Sequence, residues 1–343
     1  MTVLFPSIPP TLGALVLFLA GVALVVESVE RFVESVAESA LSLGFSAFFL
    51  TVVLAGTDLE NAILGLAAVF GRLPDLALGT VFGEALFILG VALGIAGILS
   101  PFETTVPRSY LLLTVGSPAL FFLLAADGTV SRLDGGVLTL AFLPLLGAVY
   151  VLERHTDTQY LSAEEVADRI EADGNQHASP DGGPSDADSD ERVAWWTLAV
   201  TLLAVVGMTV GSELAVIGAR DVLATLGISG LAFGATVMSF VASLEELFLT
   251  VEPVRQGRPH LGIGNVVGSM LFFVTANVGV LALVHPLTTD GAVVTVHWPF
   301  FLGSLALVGA ILFRGRVGRP EGALLLAVYV GYWAANGMGH LVG

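Results

Sequence analysis

The six residues GTDLEN, at positions 56–61, interrupt a sequence that is otherwise apolar on both sides. FSAFFLTVVLA precedes them at 45–55, and AILGLAAVF follows at 62–70. Asp58 and Glu60 would therefore lie at bilayer depth if these runs cross a membrane. A carboxylate there costs several kcal/mol unless it lines a wet cavity or meets a cation. GTDLEN is therefore a candidate functional site, and features elsewhere in the sequence indicate which chemistry it supports.

The composition predicts an all-α polytopic membrane protein. Of the 343 residues, 55% are hydrophobic, 13% are charged and 40 are glycine. This apolar content exceeds what the core of a soluble protein needs. The first apolar run is expected to be a retained span rather than a signal peptide, because no arginine precedes it and no small-residue cleavage site stands out. Windows of about 20 apolar residues predict about ten spans: 11–29, 37–70, 75–99, 109–126, 136–153, 194–217, 226–254, 261–284, 292–313 and 321–341.

An acidic segment divides the chain into 1–153, a linker at 154–192, and 193–343. Between Glu153 and Arg192 there are twelve acidic residues and three arginines, so this region holds more than half of the net charge of −17. Its Asp, Ser, Gly and Pro content predicts a solvated tether with one short helix near 162–172. Every one of the 13 basic residues is arginine. An acidic, lysine-free chain is typical of a halophile-like protein.

The positions of the arginines predict the orientation. With alternating spans, ten arginines fall on one side and only Arg72, Arg132 and Arg220 on the other. The positive-inside rule then places the linker in the cytoplasm and both termini outside, in a multi-pass protein of the cell membrane.

The two halves repeat each other at an offset of 185 residues. The offset pairs prolines and glycines along the third span of each half, including Pro74 with Pro259, Gly79 with Gly264 and Gly83 with Gly268. It also places GTDLEN opposite VASLEE, at 241–246. Each half holds about five spans, an odd number, so the second half must be inverted relative to the first. The prediction is two inverted five-helix repeats with a broken helix in each, a recurring design of transporters.

The side chains at the two interruptions favour a hard cation. Small residues let the backbone open and free its carbonyl groups, and the carboxylates add charged oxygen ligands. Ca²⁺ takes about six to eight such oxygens. Soft metals fit badly, because neither segment contains Cys or His.

The paired motifs resemble the α-repeats of the cation/calcium exchanger superfamily. Members carry G-T-S-L-P-E on the second span of each half and a G-N-V-V-G-S-N-I-F-N-like motif on the third. This chain has GTDLEN and GTVFGEALFI (79–88) in the first half, and VASLEE and GNVVGSMLFF (264–273) in the second. The resemblance covers nearly all of the chain outside the linker, and GNVVGS at 264–269 is its best match.

The resemblance implies a cation site with some substituted ligands. The central Glu of the first motif is Asn61 here, and Ala242, Ile88 and Phe273 take other places that carry ligands in the family. Asp58 and Glu84 replace serines, so with Glu246 the site still collects three carboxylates. Glu60 and Glu245 stand where the family has proline, and an alternative frame brings this symmetric pair inward. The residues expected around the cation are Thr57, Asp58, Glu60, Asn61, Glu84, Ser243, Glu245, Glu246 and Ser269. Glu30 and Glu213 are interpreted as capping or snorkelling residues near span ends.

The predicted function is secondary active cation antiport, with Ca²⁺ exchanged for Na⁺ by alternating access. The alternatives are Ca²⁺/H⁺ or other divalent exchange, a cation channel, and a homologue that binds ions without transporting them. An enzyme is not expected, because no H-E-x-x-H motif occurs and Ser243 has no neighbouring His in the sequence. Inorganic cations and the lipid bilayer are the expected partners, with no cofactor and no nucleic acid.

Overall fold

A computed structural model describes residues 10–42, 58–154 and 187–342. These residues form helices joined by short loops and four two-residue strands. The helices are α1 Pro10–Ser42, α2 Leu59–Phe70, α3 Pro74–Leu99, α4 Arg108–Leu124, α5 Arg132–Arg154, α6 Ala187–Leu226, α7 Gly230–Ala242, α8 Leu244–Arg255, α9 Pro259–Val284, α10 Val293–Arg314 and α11 Arg319–Val342. The strands are β1 Phe102–Glu103, β2 Thr129–Val130, β3 Leu287–Thr288 and β4 Arg316–Val317.

The length and apolarity of these helices establish an all-α, multi-pass membrane protein. Within the described ranges, six helices are long and apolar enough to cross a membrane, and a seventh span is formed if α7 and α8 count as one bent helix. Two further helices, α2 and α4, are apolar but shorter. Residues 43–57, directly before Asp58, lie outside the described part.

The predicted separation of the first two spans is wrong. The hydropathy pattern ends one span at residue 29 and begins the next at 37, whereas α1 continues without a break to Ser42. The charged residues between them, such as Glu30 and Arg31, are good helix formers, and Arg31 forms an i,i+4 ion pair with Glu27. The drop in hydropathy therefore changes the surface of the helix and not its backbone.

The acidic linker falls almost entirely outside the described residues. The short helix predicted near 162–172 lies in that region. Helix α6 begins at Ala187, within the C-terminal end of the segment assigned to the linker.

Helices α1 and α6 pack against each other in opposite directions along their length. At one end a Cβ on Gly218 would overlap Phe18 and the Ala14 carbonyl. At the other end Ser35 Oγ donates to the Thr197 carbonyl oxygen at 3.2 Å. Small residues let the two backbones approach closely. The first long helix of one half therefore lies antiparallel to its counterpart in the other.

The strand pairs connect the two halves in a reciprocal way. Strand β1 pairs antiparallel with β4, and β2 pairs with β3. The 185-residue offset carries β1 onto β3, and a nearly equal offset (316 − 129 = 187) carries β2 onto β4. The helices show the same reciprocal pairing between the halves, since the end of α3 packs on α11 and the end of α9 packs on α5.

Helices α3 and α9 form the centre of the bundle and are its most buried helices. The first part of α3 contacts the second part of α9, and the second part of α3 contacts the first part of α9, so the two run in opposite directions. Gly79 and Gly83 bring α3 against α7, because a Cβ at these positions would overlap Leu231, Ala235 and Ser239. The glycine spacing in the sequence thus corresponds to close helix packing beside Glu84.

Candidate functional site

Helix α2 begins where the sequence places its first acid. Asp58 is the N-cap, and its Oδ1 accepts from the Asn61 backbone N–H at 3.0 Å. The Asn61 side chain also donates through Nδ2 to Asp58 Oδ2. Aspartate is a strong N-cap because its carboxylate satisfies N–H groups that have no partner within the helix. Asp58 therefore starts the helix and holds Asn61 in place.

The second half breaks its helix at the equivalent position, between α7 and α8. The two segments meet at an angle of 48°, and Ser243 lies at the junction, where its side chain makes no capping bond. Glu245 and Glu246 occupy the first turn of α8. The partial positive charge of a helix N-terminus favours acidic side chains there.

Three carboxylates from the two halves converge inside the bundle. The carboxyl group of Glu246 lies close to that of Asp58, and Glu84 is near enough to interact electrostatically with both. Glu84 is 0% exposed and Glu246 is 6% exposed. No arginine is paired with them among the described residues. Uncompensated carboxylates in an apolar interior are costly, so this arrangement fits a bound cation.

Several buried oxygens, including some of these carboxylate oxygens, have no hydrogen-bond partner among the described residues. They are Asn61 Oδ1, both Glu84 oxygens, Ser243 Oγ, Glu246 Oε2 and Asn277 Oδ1. Buried polar atoms are rarely left unpaired without a reason. Carboxylate, amide and hydroxyl oxygens are also the ligands that hard cations take. The donor set therefore fits Ca²⁺ or Na⁺ as cargo and provides no thiol or imidazole for a soft metal.

A second group of acids lies beside the first. One carboxylate oxygen each of Glu30, Glu60 and Glu245 lies within 4.8 Å of the other two. Glu60 is 8% exposed and interacts electrostatically with Glu245 and Asp58. Glu30 and Glu245 have exposed side chains. The two acidic groups are therefore neighbours, joined through Asp58.

Comparison with known proteins identifies the family. The sequence matches the family described as "Sodium/calcium exchanger protein" over residues 13–151 and 196–337. The chain belongs to the sodium/calcium exchanger family. This membership makes it a multi-pass cation antiporter, and not an enzyme.

Similar proteins span nearly the full length of this exchanger. Inner membrane protein YrbG of Escherichia coli (strain K12) is 27% identical over 339 residues, covering 94% of this chain and 96% of its own. Sodium/calcium exchanger MaX1 of Methanosarcina acetivorans is 26% identical over 349 residues, covering 94% and 97%. The solved structure of the sodium-calcium exchanger NCX_Mj is similar with a TM-score of 0.54 and 22% identity, covering 95% of this chain and 99% of that one.

The structure of the exchanger brings together most of the predicted site residues. Asp58, Asn61, Glu84, Ser243 and Glu246 all lie at or beside the central acids. Thr57 falls outside the described residues. Ser269 is partly exposed, and no contact with the three central carboxylates is found for it in the described part. Ile88 and Phe273, where the resemblance implies polar ligands, are completely buried apolar residues.

Sequence reasoning did not anticipate the surroundings of two polar residues of the exchanger. Glu30, interpreted as a capping or snorkelling residue, has an exposed side chain within α1 and lies near Glu60 and Glu245. No sequence signal reports that contact, because it depends on how α1 packs. Asn277 follows the recognised motif by four residues and pairs with the apolar Ala92 at the 185-residue offset. An asparagine within a span was itself a usable signal.

Proposed function

We propose that the protein exchanges Ca²⁺ for Na⁺ by alternating access, with Asp58, Glu84 and Glu246 as the charged ligands of Ca²⁺. The proposal rests on the convergence of these three carboxylates from the N-cap of α2, from α3 and from α8. Two of them are fully or almost fully buried. MaX1 is named a sodium/calcium exchanger, which supports the choice of ions.

The charge of the cluster favours a divalent cargo. Three carboxylates around one point repel each other strongly in a medium of low dielectric constant. A divalent ion offsets this repulsion more completely than a single monovalent ion does, so removal of Ca²⁺ requires replacement by other cations. Exchange, rather than free diffusion, is the expected consequence of such a site.

The reciprocal contacts between the halves support two inverted five-helix repeats with ten spans in total. A two-fold relation that exchanges the halves would convert the β1–β4 pair into the β3–β2 pair, and the α3–α11 contact into the α9–α5 contact. Antiparallel packing of α1 and α6 fits the same relation. Alternating access then consists of α1 and α6 moving together against the central helices, which opens the site first to one side and then to the other.

The arginine contacts support the predicted orientation. Arg220 Nη2 donates to the Gly71 carbonyl oxygen at 2.6 Å, and Arg132 Nη2 donates to the Val284 carbonyl oxygen at 3.2 Å. These residues lie where α2 meets α3 and where α9 ends, which is the end assigned to the outside. Arg316, on β4, lies beside Glu103 at the opposite end, which is assigned to the cytoplasm together with the linker.

Proton-coupled exchange is the second candidate, and the carboxyl pairs favour it specifically. Glu60 lies close to Glu245, and Asp58 lies close to Glu246. Two carboxyl groups at close range can share one proton, because a protonated carboxyl group donates to an ionised one. Entry of a divalent ion would displace these protons, and a pH gradient could then drive the cycle.

The deciding experiment measures Ca²⁺ uptake by proteoliposomes under an imposed Na⁺ gradient or an imposed pH gradient. Wild-type uptake driven by Na⁺ supports the first candidate, and uptake driven only by the pH gradient supports the second. Uptake that ignores both gradients would replace the proposal with a channel.

A Glu246→Gln variant tests the site in the same assay. It is expected to lose exchange, because it removes one charged ligand and keeps the side-chain shape. The matched control is Glu103→Gln, the same change at an exposed residue of strand β1, which is expected to exchange normally. Intact exchange in Glu246→Gln would overturn the assignment of the site.

A further inference from the structure

Asn277 is a buried amide that the proposed Ca²⁺ site does not use. Its side chain is 2% exposed, and its Oδ1 has no hydrogen-bond partner in the described part of the chain. It ends the π-helical turn Phe272–Asn277 in the middle of α9. A buried amide oxygen without a partner destabilises the protein, because its desolvation is not offset by a hydrogen bond, and π-helical turns occur frequently at functional sites.

The packing of α9 against α2 places Asn277 at the level of Asn61. Leu281 contacts Gly65, since a Cβ at Gly65 would lie 3.0 Å from Leu281 Cδ2. Helix α2 turns back into α3, and α3 runs opposite to α9, so α2 and α9 run in the same direction. One helical turn before the contact pair lie Asn61 on α2 and Asn277 on α9. The two amides are therefore at the same level of this helix pair.

Asn61 also presents an unused oxygen. Its Nδ2 is taken by Asp58, while its Oδ1 is buried without a partner among the described residues. The side chain is 1% exposed. The bond to Asp58 fixes the orientation of the amide, so its oxygen is directed away from the carboxylate. One neutral oxygen thus lies beside Asp58, and a second, that of Asn277, lies at the same level on the neighbouring helix.

The repeat contains no second copy of this pair of amides. At the 185-residue offset, Asn277 corresponds to Ala92, and both lie at the end of a π-helical turn. Phe273, where the family resemblance implies a polar ligand, is 0% exposed and apolar. The oxygen that is missing at Phe273 therefore recurs four residues later, where the π-helical turn ends.

We infer that Asn61 and Asn277 form a separate cation subsite of neutral amide oxygens, next to the carboxylates, that binds Na⁺. The inference rests on the proposed function and names the ligands of the counter-ion. Neutral oxygens suit a monovalent ion, because a divalent ion in an apolar interior requires more charge compensation than amides provide. The nearby carboxylates supply the remaining countercharge.

The test measures the thermal stability of purified protein as Na⁺ is titrated, and radiolabelled Ca²⁺ uptake by proteoliposomes loaded with graded Na⁺. Asn277→Leu replaces the amide with an apolar side chain of similar size. Its ion-free melting temperature should equal or exceed that of wild type, because an unpaired buried oxygen is removed. The half-saturating Na⁺ concentration should rise about tenfold, and that of Ca²⁺ should change less than about twofold.

Asn336→Leu is the matched control, because Asn336 is a buried amide on α11 that already donates to the Tyr332 carbonyl oxygen. Its Na⁺ dependence should equal that of wild type. Asn277→Asp is a second variant that keeps the side-chain size and adds charge, and its half-saturating Na⁺ concentration should fall about tenfold.

The outcomes separate this inference from the proposed function. A Na⁺-dependent rise in melting temperature that is equal in wild type and Asn277→Leu overturns the subsite, as does a wild type that Na⁺ does not stabilise. If Asn277→Leu does not fold, an unchanged Na⁺ dependence in Asn277→Asp overturns it. Stabilisation by Na⁺ that requires Asn277, without Na⁺-driven Ca²⁺ uptake, leaves the subsite standing and overturns Na⁺/Ca²⁺ exchange.

Discussion

The breaks in the two halves have equivalent positions, but their acidic residues occupy different ones. In the first half, Asp58 caps the helix and Asn61 lies in its first turn. In the second half the equivalent residues are Ser243, which makes no capping bond, and Glu246. The acid and the neutral residue have thus exchanged places. Because the carboxylates still meet, the difference teaches that the charge of the site is shared across the repeats rather than required at one position.

The swapped positions of the acid and the neutral residue have a structural consequence that symmetry would not predict. Asp58 serves both the helix terminus and the acidic cluster, whereas Ser243 leaves its oxygen without a partner in the described chain. A similar contrast holds on the central helices, where Glu84 on α3 corresponds to Ser269 on α9. Glu84 is completely buried and Ser269 is partly exposed. The first half therefore carries an additional carboxylate on its central helix, while the two breaks carry equal numbers of acids.

The strongest test of this comparison converts the first break into the second. Asp58→Ser alone removes a carboxylate from the buried cluster and should lower Ca²⁺ exchange about hundredfold, equivalent to about 3 kcal/mol. Asp58→Ser/Asn61→Glu reproduces the arrangement of the second half and should recover to within about tenfold of wild type. Initial rates of Ca²⁺ uptake by proteoliposomes measure both.

Asn61→Glu alone completes the double-mutant cycle. If the position of the charge is interchangeable between 58 and 61, the two substitutions are strongly coupled. Additive effects, with no recovery in the double variant, would mean that Asp58 has a role that a glutamate one turn later cannot supply.

A smaller effect is expected from the central helices. Glu84→Gln removes a fully buried charge that has no partner among the described residues, so ion-free protein should gain about 1–3 kcal/mol in the free energy of unfolding. Ser269→Ala, the equivalent change in the second half, should stay within about 0.5 kcal/mol. Thermal denaturation with a chelator measures both.

Adding Ca²⁺ supplies the internal control for that pair. Wild type and Ser269→Ala should be stabilised by the ion, and Glu84→Gln should be stabilised less, because it has lost one ligand. A destabilised Glu84→Gln without Ca²⁺ would show that Glu84 is held by protein contacts instead of by the ion.

The smallest expected effect concerns the helix caps. Asp58→Ala should cost about 1 kcal/mol of stability because it removes the N-cap of α2. Asp58→Asn should cost less than half of that, because asparagine is an equally good cap, yet it should still impair exchange. Ser243→Ala should be near neutral in stability, since Ser243 makes no capping bond. Equal losses at Asp58 and Ser243 in chemical denaturation would contradict the contrast between the two breaks.

Much of the fold could be predicted because the positions of the helices depend on local patterns of hydropathy and residue spacing. Hydropathy located most of the helices, and the spans predicted to begin at 75 and 261 correspond to helices that begin at Pro74 and Pro259. The prediction failed at residues 30–36, because a charged face and a helix end produce the same fall in hydropathy. Only the packing of α1 against α6 distinguishes the two.

The candidate site was predicted in part for the same reason. Asp58, Glu84 and Glu246 are recognisable because an acid within an apolar run is conspicuous, and the motif spacing aligns them. The proximity of Glu30 to Glu60 and Glu245 was not predicted, because these residues are far away in sequence. Asn277 was missed because it falls beyond the motif, at the end of a π-helical turn that no local pattern predicted.

The sequence by itself determined the class of the protein, the positions of the acids and the internal repeat, because each depends on residue type and spacing along one chain. Only the tertiary structure decided which acids meet, which oxygens lack a partner and which helices lie side by side. Hydropathy determines that a segment enters the membrane, where its backbone bonds are satisfied within the helix. The choice of neighbours depends instead on side-chain shape and on close approach at glycines such as Gly83 and Gly218, which is a property of two surfaces and not of one segment.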